Sequence, residues 1–259
     1  MGPSAIRFVL VEPSHPGNIG AVARAMKNMG LSDLVLVRPR EFPHAEATAR
    51  ASGADDVLAK ARVADSLAEG LEGCGFVLAT TSRHRDHNYR VMEVRAAAQR
   101  AVEESARGTV AVMFGAERMG LTNADIDVAH VLIRIPGNPE YMSLNVAMAA
   151  QIVAYEISQA AVRNGVATSG DEGVGGVGSR APSPKPAVPL ATPEQMARLY
   201  EHLGQVMEEV EFRDRTQSGS NLMERIHRFL QRAELDQNEA NILRGFLTAV
   251  QKKRRRAGS

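Results

Sequence analysis

The sequence predicts an α/β fold with a mostly parallel sheet, followed by a small all-helical domain. Two observations predict this arrangement. Over the first 164 residues, short and almost continuously apolar runs alternate with longer stretches of helical periodicity, which is the pattern of strands joined by crossover helices. Beyond a stretch rich in glycine and proline, the chain carries helical patterns and no run typical of a strand.

Five segments have the composition of buried strands. Each is short, mostly apolar and bounded by turn-forming residues. Strands covered by helices on both faces lack the regular polar alternation of half-exposed strands, so this pattern favours a mostly parallel sheet. The segments are residues 6–13, 33–39, 75–82, 110–115 and 130–136.

Helical patterns lie between or after these strands, at residues 21–29, 45–58, 94–106 and 143–161. The last of them is the longest and the most apolar. Along it, Met148, Ile152, Tyr155 and Ile157 form an apolar stripe. Such a stripe faces either the core of the domain or a dimer interface, and both interpretations stay open.

Residues 165–191 contain six glycines, four prolines and no Phe, Tyr or Trp. A segment of this composition cannot bury enough apolar area to offset its conformational entropy. It is therefore predicted to be a disordered linker. It separates a body, residues 1–164, from a tail, residues 192–259.

The tail contains three helical patterns, at residues 193–212, 221–233 and 237–251. Thr192 is suited to the N-cap of the first helix, with Pro193 at its first position. In the second helix, four apolar residues recur at i, i+4, i+7 and i+8, which predicts one apolar stripe. They are Leu222, Ile226, Phe229 and Leu230.

Composition excludes several classes of protein. The single cysteine, Cys74, cannot form an intramolecular disulfide or supply a cysteine metal cluster. No apolar run approaches 18 residues, and Arg7 interrupts the N-terminal apolar stretch, so neither a membrane span nor a secretory signal is expected. We therefore expect a cytoplasmic protein that is not inserted in a membrane.

The formal net charge of +1 does not exclude a nucleic-acid partner, because the charge is unevenly divided. The body carries 17 Lys and Arg against 18 Asp and Glu, whereas the tail carries 12 against 10 and ends in the cationic run KKRRR, residues 252–256. That run is either a solvated end or a set of phosphate contacts. Aromatic residues make up only 4% of the chain, which favours recognition of nucleic acid by shape and phosphates rather than by base stacking.

A ligand site is predicted beyond the carboxyl ends of the strands, where open parallel sheets bind their ligands. The loops that follow the strands concentrate Gly, Pro, Asn and small hydroxyl residues, which permit close backbone approach. These loops are residues 12–20, 80–85, 115–123 and 136–145.

A literal G-x-G-x-x-G pattern occurs at Gly173, Gly175 and Gly178. It lies in the predicted linker, with no strand before it and a proline-rich stretch after it. Without the strand–turn–helix context, the pattern does not indicate a dinucleotide site. A nicotinamide-dependent enzyme is therefore disfavoured.

Three of the motifs together carry a resemblance. HPGNIGAVARAMKNMG (15–30), FGAERMGLTN (114–123) and NPEYMSLNVAMAAQIVAYE (138–156) resemble, in order and spacing, the motifs of the SPOUT class of knotted methyltransferases, in its RNA ribose 2'-O-methyltransferase branch. The tail stretches NLMERIHRFLQRAEL and NEANILRGFLTAV are similar to the C-terminal helical region of the members that methylate cytidine or uridine at position 32 of the tRNA anticodon loop.

The resemblance implies a C-terminal trefoil knot, a homodimer with active sites completed across its interface, a tRNA substrate and S-adenosylmethionine as cofactor. It implies no metal. The cofactor contacts that it implies are Thr80, Thr81, Ser82, Gly115, Gly120, Ile135, Met142, Ser143 and Leu144. The polar active-site positions that it implies are Asn18, Arg24, Glu117, Ser143 and Asn145.

Transfer of a methyl group to a ribose hydroxyl requires the nucleophilic oxygen and the sulfonium methyl to lie in line, about 3 Å apart. The negative charge that develops on the oxygen must also be stabilised. Arg24 is the residue we assign to this oxygen, although the guanidinium is effectively always protonated and is a poor base. We therefore expect Arg24 to stabilise the developing alkoxide and an adjacent phosphate, with the proton passing to that phosphate or to water.

Each of these residues also has a purely structural interpretation. Arg24 suits a solvated surface cation, Asn18 suits a helix cap, and Ser143 suits the N-cap of the last body helix with Asn145 in its first turn. Glu117 suits an acceptor of N–H hydrogen bonds within its loop, and this is the interpretation we favour for it.

The polar segment 82–90 is either a solvated loop or a phosphate-binding one. His84 and His87 in this loop lack an evident third metal ligand. Two other functions stay open for the whole chain. One is 2'-O-methylation of a different tRNA or rRNA site, and the other is a catalytically silent RNA-binding protein with the same fold.

Overall fold

The computed structural model describes residues 5–82, 89–141, 143–165, 188–212 and 222–257, with backbone alone for residues 254–257. Within these ranges the chain forms an α/β body and a helical tail. The expectations for Met142, for most of the linker and for His84 and His87 lie outside the described residues.

The body is built on one seven-stranded sheet in which every pair of neighbouring strands is parallel. The predicted fold class is confirmed, and each of the five predicted strands is present. The strands are β1 Ile6–Val11, β2 Asp33–Val37, β3 Arg62–Ala64, β4 Cys74–Thr81, β5 Val91–Glu93, β6 Thr109–Phe114 and β7 Val131–Arg134.

The strand order across the sheet is β3-β2-β1-β6-β4-β7-β5. Strand β7 therefore lies between β4 and β5, although β4 and β5 are consecutive in the chain. Leu78–Thr81 of β4 pair with one side of β7, and Val91–Glu93 pair with the other. The carboxyl ends of β4, β6 and β7 are brought together as a result.

The sequence did not predict β3 and β5. Both are three-residue strands at the two edges of the sheet, and most of their residues are exposed or half-buried. Edge strands this short do not need the continuous apolar composition that identifies a central strand.

Seven helices are present among the described residues of the body. They are α1 Pro16–Asn28, α2 Ala45–Ala51, α3 Asp55–Lys60, α4 Leu67–Gly70, α5 Val94–Ser105, α6 Asn123–Ile126 and α7 Val146–Arg163. The predicted helix at 21–29 starts five residues earlier than expected. Pro16 occupies its first turn, where a missing N–H has no cost, and the His15 side chain caps it.

Alternate residues along the strands enter two separate cores, one on each face of the sheet. Phe8 and Leu10 pack with α1, α5 and α7, whereas Val9 and Val11 pack on the opposite face with the segments around α4 and α6. The two-residue period of a strand produces this division. With both faces covered, the strands are apolar throughout, as predicted.

The tail consists of α8 Pro193–Glu209, α9 Leu222–Ala233 and α10 Gln237–Ala257. The predicted N-cap is confirmed, since the Thr192 side chain accepts from the Gln195 N–H and Gln195 returns the bond in a capping box. Residues 190 and 191 are packed: Leu190 bridges to Asp236, and Ala191 is fully buried in the tail core.

Phe229, part of the predicted apolar stripe, lies outside the tail core. Leu230 is buried and Ile226 packs against the same core, but Phe229 is 60% exposed. The residues at i, i+4, i+7 and i+8 form a broad stripe along α9, and the tail core covers only part of its width. Only the tertiary packing shows which edge of the stripe is covered.

Charged and polar contacts join the tail to the body. The Glu234 carboxylate, at the end of α9, forms ion pairs with Arg90 and Arg100 of the body. One turn earlier, Gln231 Nε2 donates to the Asp127 carbonyl at 2.8 Å. Because Glu234 and Arg100 are both largely shielded from water, these ion pairs are stronger than exposed ones.

No helix among the described residues is both long enough and apolar enough to span a membrane.

Replacing Glu234 by Gln is expected to loosen the tail from the body. The variant leaves Arg90 and Arg100 without their shared carboxylate, at a cost of about 1–2 kcal/mol in docking free energy. Amide hydrogen exchange should rise in α9 and stay unchanged in β6. Glu208→Gln, which removes an exposed tail carboxylate, is the matched control. Equal exchange in the two variants would contradict the role of Glu234.

Candidate active site

A cavity of about 320 Å³ opens at the carboxyl ends of β4, β6 and β7. Its walls come from the loops that follow these strands and from the first turns of α7. The volume lies within the range of pockets that bind small molecules. The residues that line it and were predicted from sequence are Thr80, Thr81, Ser82, Gly115, Glu117, Gly120, Ile135, Ser143 and Leu144.

The end of β4 supplies one wall. Thr80 Oγ1 donates to the Met113 carbonyl of the neighbouring strand at 3.0 Å, which satisfies the hydroxyl and fixes its side chain. Thr81, the last paired residue of the strand, and Ser82 directly after it continue the wall. Their small side chains leave backbone groups accessible to a ligand.

The loop after β6 folds back tightly on Gly115. A Cβ atom placed on Gly115 would lie 2.2 Å from the backbone of Gly120 and Leu121, so no side chain fits without moving the loop. Gly120 has φ +67°, a left-handed conformation that favours glycine, and it bridges to Ala116. Both glycines are required by the shape of the cavity wall.

Glu117 joins this loop to the start of α1. Its carboxylate accepts hydrogen bonds from the Ser14 N–H at 2.9 Å, the Ser14 hydroxyl at 2.7 Å, the His15 N–H at 3.2 Å and Asn18 Nδ2 at 2.9 Å. The interpretation of Glu117 as an acceptor of N–H groups agrees with this geometry, although the donors come from residues 14–18 rather than from its own loop.

Asn18 connects the same network to α7. Its Oδ1 accepts from Asn145 Nδ2 at 3.1 Å, and Asn145 Oδ1 accepts from the Ala147 N–H at 2.8 Å. Two capping assignments made from sequence are therefore wrong. His15 caps α1, and Asn145, not Ser143, caps α7.

The hydrogen bonds also set the protonation state of Glu117. Partial burial by itself would raise the pKa of this carboxyl group, but the bonds donated by Asn18 and Ser14 outweigh it and lower the pKa to about 2. Glu117 is therefore ionised at neutral pH, and its lone pairs are occupied. This arrangement suits a residue that holds three loops together better than a general base.

Arg24 does not line the cavity. It lies on α1, six residues and about 9 Å along the helix axis from Asn18. Its side chain is exposed and makes no ion pair or hydrogen bond within the described part of the chain. A single chain thus brings together four of the five predicted polar residues and leaves Arg24 apart.

A second, shallower hollow adjoins α1 and α7. Asn18, Asn145, Met148 and Ile152 are among its lining residues. On the stripe identified in α7, Ile157 is buried in the core, but Met148 is 62% exposed and Tyr155 is 48% exposed. The stripe therefore divides between core and surface.

Sequence reasoning missed several contributors. Ser14 and His15 hold the Glu117 carboxylate, and the apolar side chains of Phe114, Ile133 and Val146 line the cavity. The position of His15 directly before Pro16 was an available signal for the helix cap. Nothing in the sequence pairs residue 117 with residues 14–18, because that contact spans about 100 residues.

Among the described residues, no group of three His, Cys, Asp or Glu side chains is arranged to hold a metal ion. Cys74 is buried in the sheet, and burial raises the pKa of its thiol to about 11. The thiol is therefore protonated and unsuited to nucleophilic chemistry.

Two family models match the chain. Residues 5–155 match the SpoU rRNA Methylase family, and residues 194–259 match the C-terminal domain of the tRNA methyltransferase TrmJ. The first match covers more than half of the chain, and the protein belongs to the SpoU methylase family, a family of methyltransferases.

Within that family the chain is similar over nearly its whole length to TrmJ proteins. It is 42% identical to the tRNA (cytidine/uridine-2'-O-)-methyltransferase TrmJ of Pectobacterium atrosepticum, over 95% of this chain and 97% of the relative. It is also 42% identical to the tRNA (cytidine/uridine/adenosine-2'-O-)-methyltransferase TrmJ of Pseudomonas aeruginosa, over 95% of this chain and 94% of the relative.

Solved structures agree with this relationship. TrmJ from Z. mobilis ZM4 has a TM-score of 0.78 at 33% identity, over 96% of this chain and all of the other. A probable methylase family protein from Haemophilus influenzae has a TM-score of 0.60 at 35% identity, over 97% of both chains.

Replacing Glu117 by Gln is expected to destabilise the body at neutral pH and to remove an acid-dependent component of its stability. In the variant, the side-chain amide nitrogen would face the donors of Ser14 or His15. The expected loss in the free energy of unfolding is about 1–2 kcal/mol at pH 7, a modest value because the site is only partly buried. The pKa of Glu117 in the folded protein, about 2, lies below the ordinary value of 4.5. The contribution of the ionised carboxylate to stability is therefore complete above pH 4.5 and is lost as the pH falls towards 2.

The measurement is the urea midpoint of unfolding for wild type and variant between pH 7 and pH 2. The gap between the two proteins should be widest at neutral pH and should close as the pH falls below 4.5. Glu140→Gln, at an exposed carboxylate on the neighbouring loop, is the control. A gap that does not depend on pH would show that the Glu117 charge is not what matters.

Proposed function

We propose that this protein transfers a methyl group from S-adenosylmethionine to the ribose 2'-hydroxyl of cytidine or uridine at position 32 of the tRNA anticodon loop. The observation that carries the proposal is the cavity bounded by the end of β4 and by the second and third motif loops, to which Glu117, Asn18 and Asn145 join the first motif. The TrmJ relatives, named as tRNA cytidine/uridine 2'-O-methyltransferases, supply the substrate class.

The residues of the cavity fit S-adenosylmethionine. Gly115 leaves a backbone cradle that a Cβ atom would fill, and Ile135 and Leu144 offer apolar contacts to an adenine ring. Thr80, Thr81, Ser82, Gly120, Met142 and Ser143 complete the cofactor contacts that we assign. The bound cofactor supplies an electrophilic methyl group, so the chain needs no metal to activate the donor.

Arg24 acts on the attacking ribose oxygen. The side chain carries a permanent charge and presents several N–H donors, and it has no partner for them within the part of the chain that the structure describes. It stabilises the charge that develops on the oxygen and contacts the adjacent phosphate, while the proton leaves to phosphate or water. Such stabilisation by one donor is worth about 3 kcal/mol.

Because Arg24 lies away from the cavity of its own chain, we propose that it serves the cavity of a partner subunit in a homodimer. The exposed Met148 and Tyr155 on α7, next to α1, favour this face as the interface. In a two-fold dimer, each α1 then faces the other subunit and two equivalent composite sites form.

We also propose that the C-terminal part of the body is knotted. The position of β7 between the consecutive strands β4 and β5 supports this topology. Glu117 and Asn145 act as positioning residues in this arrangement, and Ser143, at the cavity wall, faces the reactants. We place the enzyme in the cytoplasm, where tRNA is modified.

The tail favours position 32 over another tRNA site. A solved structure that concerns 2-OH methylation of C/U34 on tRNA is 26% identical to this chain and matches 62% of it, whereas 99% of that structure's own length is matched. That neighbour corresponds to the body alone. A catalytically silent RNA-binding protein is disfavoured, because Asn18, Arg24 and Glu117 are all present.

The substrate assignment is tested by mapping ribose methylation in tRNA from a strain that lacks this protein. We expect loss of the 2'-O-methyl group at position 32 alone, and its return when the gene is restored. Loss at a different tRNA or rRNA position would replace the proposed site, and an unchanged methylation map would indicate the silent protein.

The composite site is tested by mixing two inactive variants. Arg24→Ala should keep S-adenosylmethionine binding and lose methylation by about 100- to 1,000-fold, whereas Gly115→Val should lose cofactor binding. In randomly mixed dimers, half pair one of each variant, and each such dimer has one intact composite site. Activity should therefore return to about a quarter of the wild-type value.

Gly137→Val, at a loop glycine with open space around it, is the control for Gly115→Val and should bind cofactor normally. If the mixed dimers stay inactive, Arg24 does not serve the partner's cavity. If Arg24→Ala alone turns over at nearly the wild-type rate, the catalytic assignment of Arg24 is wrong.

A further inference from the structure

Among the described residues that line the cavity at the ends of β4, β6 and β7, Arg118 is the one with a positively charged side chain. Apart from Glu117, the other described lining residues are apolar, glycine or hydroxyl-bearing. Arg118 is exposed and makes no ion pair or hydrogen bond within the described part of the chain. Its guanidinium N–H donors are therefore available to a ligand that enters the cavity.

The turn that carries Arg118 is held in place on both sides. Ala116 and Gly120 bridge across it, and the Gly120 N–H donates to the Ala116 carbonyl at 2.8 Å. Glu117, directly before Arg118, is anchored to the start of α1 by four hydrogen bonds. Because the backbone is already fixed, only the Arg118 side chain has to be ordered when it binds a ligand, which lowers the entropic cost of the contact.

The other charge on the cavity wall is negative. Glu117 is ionised, since its hydrogen bonds lower its pKa to about 2, and its lone pairs are already occupied. This carboxylate repels an anionic group of a ligand, and desolvation of such a group without a cation beside it is costly. An anionic group in this cavity is therefore best accommodated next to Arg118.

The proposed cofactor has one anionic group, the carboxylate at its amino-acid end. Its adenine ring is uncharged and is assigned to Ile135 and Leu144, and its sulfonium and ammonium groups are cationic. A carboxylate and a guanidinium can form two parallel N–H···O hydrogen bonds, which occupy both oxygens at once. The charge and the donor geometry of Arg118 therefore match one particular group of the cofactor.

We propose that Arg118 binds the carboxylate of S-adenosylmethionine and so fixes the amino-acid end of the cofactor. This inference rests on the cofactor of the proposed function and adds to it the residue that recognises the charged end. The contacts implied by the sequence motifs do not include Arg118. The additional contact lets the cavity distinguish the cofactor from adenosine, which has the same ring and no carboxylate.

A phosphate group of the RNA is the other anion that an exposed arginine near the active site could bind. Arg118 lines the same cavity as Gly115 and Ile135, which are assigned to the cofactor. The phosphate contact is assigned to Arg24, which lies outside this cavity. The location of Arg118 therefore favours the cofactor carboxylate, and the experiment separates the two anions.

The test measures ligand affinity of the full-length protein by isothermal titration calorimetry in the absence of RNA. The two ligands are S-adenosylhomocysteine, which has the carboxylate, and its decarboxylated analogue, in which a hydrogen atom replaces that group. Arg118→Gln should weaken binding of S-adenosylhomocysteine by about 5- to 50-fold, because charge-assisted hydrogen bonds are lost. Its affinity for the decarboxylated analogue should change by less than about twofold, so that the cycle isolates the Arg118–carboxylate pair.

Two further variants serve as controls. Arg118→Lys keeps the positive charge but loses the paired donor geometry, and it should recover part of the affinity. Arg40→Gln is the matched control, because Arg40 is an exposed arginine on the loop after β2, outside the cavity. It should change neither affinity by more than about twofold. The thermal midpoint without ligand should be the same in all of these variants, since neither side chain makes an ion pair or hydrogen bond within the described residues.

Two outcomes would overturn the inference. An equal loss of affinity for both ligands would show that Arg118 shapes the cavity wall and does not bind the carboxylate. Unchanged affinity of Arg118→Gln for S-adenosylhomocysteine would exclude the contact. If that variant also bound tRNA more weakly, with the slope of log affinity against log salt lowered by about 1, Arg118 would be assigned to an RNA phosphate.

Failure of the proposed function gives different results. Wild-type protein that binds neither ligand would overturn the proposed cofactor and this contact with it. Protein that shows the expected dependence on Arg118 but methylates no tRNA would contradict the proposed substrate and leave the carboxylate contact in place.

Discussion

The candidate active site depends on one carboxylate. Glu117 accepts hydrogen bonds from Ser14, His15 and Asn18, and Asn18 passes the connection to Asn145 at the start of α7. Three loops that are far apart in the chain are thereby held in one geometry. A carboxylate can do this because two oxygens accept several donors at once, and its low pKa keeps it charged across the physiological range.

The sheet determines where that network can form. Parallel strands bring their carboxyl ends to one edge, and the insertion of β7 between β4 and β5 places three loops side by side. The tail is docked elsewhere on the body, through Glu234 and Arg90, and Arg90 directly precedes β5, at the amino end of that strand. The cofactor cavity is formed by loops at the carboxyl ends of the strands, although those loops come from separate parts of the chain.

The distribution of exposed side chains explains how a nearly neutral, aromatic-poor chain fits an RNA partner. Average composition hides Arg24 on α1, which is exposed and has no ion-pair or hydrogen-bond partner among the described residues. An exposed guanidinium stays hydrated and keeps its N–H donors available to a partner. Recognition is thus concentrated at a few positions rather than spread over the surface.

The sequence by itself determined the central strands, the Thr192 cap and the loops that line the cavity, because apolar periodicity, capping chemistry and glycine content act over a few residues. Tertiary structure decided the edge strands, the caps at His15 and Asn145, the exposure of Phe229 and the separation of Arg24 from the cavity of its own chain. These features depend on contacts between residues about 100 positions apart or on which helical face a neighbour covers, and local patterns carry no information about either.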